Sequence, residues 1–418
     1  MDKLIIFCEH GVETLTYFSK QMACAFASWG YEIFWMDMEM TGLGAWKLRQ
    51  MARGRQAVLI TFNFIGLSGE EGLWELDDAG MPQTSIWEKL DILCLNLMVD
   101  HPLYYYKVLK HPVPGMKTFC IDRDHAAYMR RFYPEIPCEF LPLAGNLPET
   151  GGWAENKILT VSNRTKSILQ TPNKEPFGQW MQRPYPVVFT ANYVPILNIE
   201  KQFQNLEPEY RDFYHEILEA FVQNPRQELF SCIERFLRRE MPDLDNAGIC
   251  EAMSTMAAVD LWIRTFFREK TVRTLAEGGI RVHVFGKDWD RVSCKCPGNL
   301  ISSGQMTDSV SCVRAVAQGK IALNTMPWFK DGAHDRIFTA MLQNTAVLTD
   351  DSRYLWEEFR DMDTLVYYDL KHLEALPDRV RELLKEPQLL YETACRGRAA
   401  AAQFHTWECR ARALREYL

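Results

Sequence analysis

Short apolar runs alternate with segments of helical spacing, and the alternation comes in two series. That order restricts the chain more than any other feature, because strands alternating with helices imply parallel βαβ units and doubly wound sheets. In the first series, Leu4–Cys8 reads as a buried strand. A helix is predicted from about Val12 to Ser28, with Leu15, Phe18, Met22, Ala25 and Phe26 at helical spacing and Gly30 as its stop. Strands are predicted at Tyr31–Met36, Ala57–Phe62, Ile92–Val99, Lys117–Ile121 and Glu139–Leu143, with helices at Ala45–Ala52 and Asp124–Phe132.

Residues 145–186 interrupt the pattern with five prolines, as a domain junction would. A second series begins at Val187–Thr190. Helices are predicted at Glu209–Val222, Gln227–Arg239 and Ile249–Gly278. Strands return at Val282–Phe285, Leu300–Ser302, Ile321–Asn324, Ala346–Thr349 and Thr364–Tyr367, with helices at Val310–Ala317 and Asp335–Leu342 between them. Two last helices are predicted at about Asp378–Glu386 and Gln388–Tyr417. The fold class expected is α/β, with two Rossmann-like domains facing each other across a cleft. Their expected extents are 1–183 and 184–395. The length of 418 residues agrees, at roughly 100–200 residues per domain.

Composition narrows the function classes. The net charge of −8 argues against general nucleic-acid binding, which needs a basic footprint. No apolar stretch reaches the length of a membrane span. The first apolar run is shorter than a signal peptide requires and ends at Glu9 and His10. The twelve scattered cysteines suit a reducing cytoplasm, and the one close pair, Cys294 and Cys296, lacks the partners of a zinc site. No metal site is expected. Four Asp-x-Asp triplets (Asp122/Asp124, Asp243/Asp245, Asp288/Asp290, Asp361/Asp363) read as solvated surface. The glycine signatures of nicotinamide and ATP sites are absent.

Ligands of open parallel sheets lie outside the carboxyl ends of the strands. In the first half those ends carry His10, Asn63, Asp100-His101 and Asp122. In the second they carry Asn192-Tyr193, Gly286-Lys287, Asn324 and Asp350. Gly286 would let backbone approach a phosphate, and Lys287 would add a point charge; an ordinary turn is the alternative. Asp331-Gly332-Ala333-His334-Asp335-Arg336 precedes a predicted helix. A helix N-terminus favours anions, and Arg336 can grip phosphate oxygens in pairs. The alternative is a plainly capped surface helix. His101 beside Asp100, and His10, have the near-neutral pKa of a general base for a hydroxyl.

The stretch Ile321–Met341 followed by Ala346–Asp350 resembles the donor-binding half of bacterial GT-B glycosyltransferases, in the spore-maturation-protein-like branch with the "glycosyl transferases group 1" C-terminal domain. Val188–Pro195, Val99–Leu103, Cys120–His125 and His405–Trp407 also resemble stretches of that group. The resemblance implies metal-independent transfer of a sugar from a nucleoside diphosphate sugar, taken as a UDP-sugar, to an acceptor hydroxyl. It implies no other cofactor. It implies that Gly332, His334 and Arg336, with Asp335, face the donor diphosphate, near Gly286 and Lys287. It also implies a C-terminal helix, 396–418, crossing back to the first domain. The chain departs from the retaining members, which carry a Glu-x₇-Glu pair that this stretch, holding no glutamate, lacks. A sugar-nucleotide epimerase and a non-catalytic nucleotide-sugar-binding protein are the alternatives. Neither nucleic acid nor a transmembrane segment is expected as a partner, and peripheral membrane contact stays open.

Overall fold

The computed structural model describes residues 3–78, 80, 82–148, 175–360 and 363–418. The chain divides into two compact units, Met1–Thr171 with Thr406–Leu418, and Pro172–His405. Much of the proline-rich junction, and Asp361 of the fourth Asp-x-Asp triplet, lie outside the described residues.

The first unit contains β1 (Lys3–Glu9), β2 (Glu32–Asp37), β3 (Gln56–Phe62), β4 (Trp74–Leu76), β5 (Pro82–Ser85), β6 (Leu93–Met98), β7 (Lys117–Cys120) and β8 (Cys138–Phe140). Six of these form one parallel sheet in the order β2-β1-β3-β6-β7-β8. Strands buried on both faces read as continuous apolar runs rather than alternations, and Leu4, Ile5, Ile6 and Phe7 are fully buried. The helix Glu13–Ser28 packs on this sheet through Phe18, Met22 and Phe26. The antiparallel pair β4–β5 has no counterpart in the sequence reading, where its residues pass as a polar, glycine-rich interval.

The chain's end completes this unit. One helix was expected over 388–417, but the structure has two, Pro387–Phe404 and Trp407–Arg415. His405 leaves the helical region, and the Thr406 side chain accepts from the Cys409 amide to start a new helix. A threonine cap satisfies an amide that an unbroken helix would bond internally, so it marks a boundary. Trp407 is buried with its ring 4.7 Å from Phe18, and its Nε1 donates to Asn146 Oδ1 at 2.9 Å. Arg410 Nη2 donates to the Leu143 carbonyl at 2.8 Å.

The second unit contains β9 (Tyr185–Thr190), β10 (Val282–Phe285), β11 (Leu300–Ile301), β12 (Gly319–Leu323), β13 (Ala346–Thr349) and β14 (Leu365–Tyr367). They form a six-stranded parallel sheet in the order β11-β10-β9-β12-β13-β14. Counted from β9, that is the 3-2-1-4-5-6 order of the Rossmann fold. The two units are therefore both Rossmann-like, as expected. Between β9 and β10 lie the helices Ile196–Gln204, Pro208–Gln223, Leu229–Glu240, Asn246–Ser254 and Ala257–Glu277. The first of these was not predicted. Its two buried apolar side chains, Ile199 and Phe203, give too short a pattern to stand out. Arg183 anchors the start of β9 by donating to Gly319 O at 2.7 Å, Gln343 O at 2.9 Å and Glu175 Oε2 at 2.6 Å.

Candidate functional site

In the second unit the strand order reverses between β9 and β12. Connections leave these neighbours in opposite directions, so a crevice opens at their carboxyl ends. The tips on the β9 side are laced together. Ala191 N donates to Phe285 O at 3.1 Å, Tyr193 N to Lys287 O at 3.0 Å, and Lys287 N to Asn192 Oδ1 at 2.9 Å. Trp289 Nε1 donates to Ala191 O at 2.6 Å. Gly286 has φ +155°, and a Cβ there would stand 2.0 Å from the Ala191 oxygen. Its glycine is therefore required by the neighbouring tip, a reason separate from any phosphate. Asn192 is committed to this lacing. The Tyr193 hydroxyl donates to Glu269 Oε2 at 2.6 Å, and burial pushes its pKa up. The Lys287 side chain is 60% exposed, with only a 3.7 Å approach to Asp288.

On the other side of the crevice, the helix Asp335–Leu342 begins at His334. Aspartate in its first turn suits the positive end of the helix dipole. Arg336 turns back from this helix, and its Nη1 donates to the carbonyl of Thr190, the last residue of β9, at 3.0 Å. That bond joins the helix start to the switch point. Arg336 N and Nε also donate to His334 Nδ1, at 3.3 and 3.2 Å. Asp335 Oδ1 lies 2.5 Å from the same nitrogen. Nδ1 can carry a hydrogen for Asp335 or accept from Arg336, not both. The ring hydrogen sits on Nδ1 when that nitrogen donates to Asp335, the shortest of the three contacts, and on Nε2 when it accepts from Arg336. Burial, and then the Arg336 charge, push the His334 pKa down to about 4, so the ring is neutral at neutral pH. Burial lowers Arg336 to about 10, which leaves it charged.

Asn324 and Asp350 end β12 and β13. Asn324 Nδ2 donates to Thr349 Oγ1 at 2.9 Å, and Met326 N donates to Asp350 Oδ1 at 2.8 Å. Asn324 Oδ1 and Asp350 Oδ2 are buried without a hydrogen-bond partner among the described residues. Burial raises Asp350 to about 6, opposed by the nearby Lys330 charge. The Gly332 carbonyl accepts from Ser352 Oγ at 2.7 Å, which fixes the loop leading to His334. Asp331 faces Arg353, 3.2 Å away.

Sequence reasoning missed the long helix Ala257–Glu277 as a contributor. Its Arg264 and Arg268 lie 4.5 and 4.8 Å from the Trp328 ring. The available signal was arginine at i and i+4, which lie on one helix face.

In the first unit, His10, Asn63 and Asp100-His101 follow β1, β3 and β6, which are adjacent in the sheet. His101 is buried, its Nδ1 accepts from Leu103 N at 3.1 Å, and its ring packs 4.5 Å from His125 and 4.7 Å from Tyr128. Asp100 accepts from Asn63 Nδ2 at 3.0 Å. His10 is exposed at φ 60°, and its Nδ1 lies 3.0 Å from Asp37 Oδ1. That hydrogen bond raises its pKa. Asp37 was not singled out from sequence. The register Glu9↔Asp37 brings it beside His10, and register is invisible without the pairing. Val12, Met40, Leu43 and Trp46 flank this pair in sequence and are exposed. The Asp-x-Asp residues serve locally: Asp122 and Asp245 cap helices. Among the described residues no three His, Cys, Asp or Glu side chains converge as a metal site would need, and no helix is long and apolar enough to cross a membrane.

Residues 264–416 match a family described as Glycosyl transferase-like. The segment takes in β10–β14 and the stretch 321–350 that carries the resemblance read from the sequence. No curated protein matches the chain. Solved structures align along almost its whole length at low identity. Sucrose-phosphate synthase from Thermosynechococcus elongatus is 11% identical, with 100% of this chain and 98% of that one covered and a TM-score of 0.46. HepE from Anabaena, solved in complex with UDP and glucose, is 9% identical over 99% and 98%, with a TM-score of 0.45. T4 phage BGT, in complex with its UDP-glucose substrate, is 11% identical over 99% and 98%, with a TM-score of 0.44.

Proposed function

We propose that the protein is a cytoplasmic glycosyltransferase that moves a sugar from a nucleoside diphosphate sugar, a UDP-sugar in the first instance, to an acceptor hydroxyl. The observation that carries this reading is Arg336. It stands at the start of a helix and is pinned by Thr190 at the switch point of a Rossmann-like sheet. The second unit would hold the donor. The departing diphosphate gains negative charge, and a preorganised cation and helix amides stabilise that charge without reorganising. Arg336, the exposed Lys287 and, in its Nε2–H tautomer, His334 would supply these groups, so no metal is required by the proposal.

The acceptor would be activated from the first unit by His10. With Nδ1–H held by Asp37, the neutral ring leaves Nε2 to take the hydroxyl proton. His10 is favoured over His101 because His101 is buried and already caps a turn. The exposed Val12, Met40, Leu43 and Trp46 favour an acceptor with an apolar portion.

The test is transfer and donor hydrolysis across a panel of nucleoside diphosphate sugars. Arg336→Ala is expected to stay folded and to lose at least about tenfold in rate, since removal of one such donor typically costs 10²–10³. Wild-type rates in that variant would overturn the donor assignment. A thermal-shift screen with nucleoside diphosphates identifies the base, because a ligand that binds only the folded form raises the unfolding temperature.

A further inference from the structure

Two thiols in the first unit form a pair that the proposed reaction does not use. Cys120 ends β7 and is fully buried. Cys138 opens β8, the edge strand of the sheet, and is partly exposed. In the parallel register Thr118 faces Cys138 and Cys120 faces Phe140. Side chains two apart on a strand share a face, so Cys120 and Cys138 meet diagonally across the β7–β8 ladder. Their sulfurs are 3.5 Å apart.

We propose that Cys120 and Cys138 are an oxidisable pair that closes to an intramolecular disulfide when the protein meets a low-molecular-weight disulfide such as oxidised glutathione. Exposure sets the order of events. Only Cys138 is accessible, so its thiolate attacks the small disulfide, forms a mixed disulfide and releases one small thiolate. Cys120 then attacks the Cys138 sulfur, gives up its proton and expels the second small thiol. Two protein thiols are oxidised by two electrons, one small disulfide is reduced to two thiols, and the two protons leave with them. Electrostatics suit these roles. The hydrogen bond from Cys120 and the Arg130 charge lower the Cys138 thiol, whereas burial holds the Cys120 thiol up. A three-residue strand that, among the described residues, is paired on one side only can shift to bring the sulfurs to bonding distance.

The experiment incubates the full-length native protein with oxidised glutathione and maps peptides without reduction. The expected wild-type product is a linked peptide joining Cys120 to Cys138, with no glutathione on Cys138. It should be reversed by dithiothreitol and accompanied by a higher unfolding temperature. Cys120→Ser is expected to trap Cys138 as the glutathione adduct, and Cys138→Ser to leave Cys120 as a free thiol. If Cys120→Ser fails to fold, Cys120→Ala serves as the trapping variant. Wild-type protein that holds a stable adduct on Cys138, or that leaves both thiols free, would overturn the proposal.

Discussion

Asp350 carries an electrostatic conflict in the second unit. One carboxylate oxygen accepts from Met326 N and the other is buried without a described partner. Its pKa is raised to about 6 from 3.8. A carboxyl group raised by folding contributes its full stability below the unfolded value. That contribution is lost as pH climbs from about 4 through about 6. Asp350→Asn keeps the Oδ1 acceptor and removes the charge. It is expected to stabilise the fold by about 2 kcal/mol at pH 8, with the gain fading toward pH 4. Denaturant titrations at both pH values check this, and a gain independent of pH would contradict the burial argument. His334 runs the other way. Its pKa is lowered to about 4, so its contribution is present above about 6.5 and is lost as pH falls toward 4. The places of these residues, at a strand end and a helix start, were legible in the sequence. Their protonation states were not, because burial comes from parts of the chain distant in sequence.

Among elements, the β9 and β10 tips show how a sequence signal can be right in place and incomplete in cause. Gly286 was readable as a site for close approach. The structure shows that the approaching atom is the Ala191 oxygen. Gly286→Ala is expected to cost roughly 1–3 kcal/mol, since a methyl group forced into packed structure shifts backbone. If Lys287 holds the donor diphosphate as proposed, it should also weaken nucleotide binding, because the displaced loop carries Lys287. Gly298→Ala, with nothing within 4 Å of its Cβ, serves as the neutral control in the same urea unfolding and thermal-shift measurements. The helix Asp335–Leu342 was legible to the residue, because Asp335 starts an apolar periodicity that Gln343-Asn344 ends. The pair β4–β5 was not, because strands of three and four residues leave too little alternation. Asp37 was missed for a different reason: its partner His10 lies just past the end of another strand, 27 residues away. If His10 is the base, Asp37→Ala should lower the transfer rate and move the acidic limb of its pH profile to lower pH. Loss of the carboxylate removes what raises the His10 pKa. An unchanged profile would take His10 out of the reaction.

Across the whole molecule, the last thirteen residues belong to the unit that the chain began with. Trp407 is buried against Phe18 and Phe62 and donates to Asn146. Trp407→Ala is expected to destabilise the first unit by about 3–5 kcal/mol, the usual cost of emptying a buried aromatic site. Hydrogen exchange should then rise across the helix Glu13–Ser28 and leave the second unit's sheet unaffected; a loss confined to the second unit would refute this. The sequence by itself determined the architecture. The alternation of apolar runs with helical spacing is a local property, and it specified two parallel-sheet units and the strand ends where a ligand would bind. Only the tertiary structure decided which of those end residues meet. Pairing Thr190 with Arg336, His10 with Asp37 and Cys120 with Cys138 depends on strand order and register. Side chains tens of residues apart become neighbours only when backbone hydrogen bonds set their strands side by side.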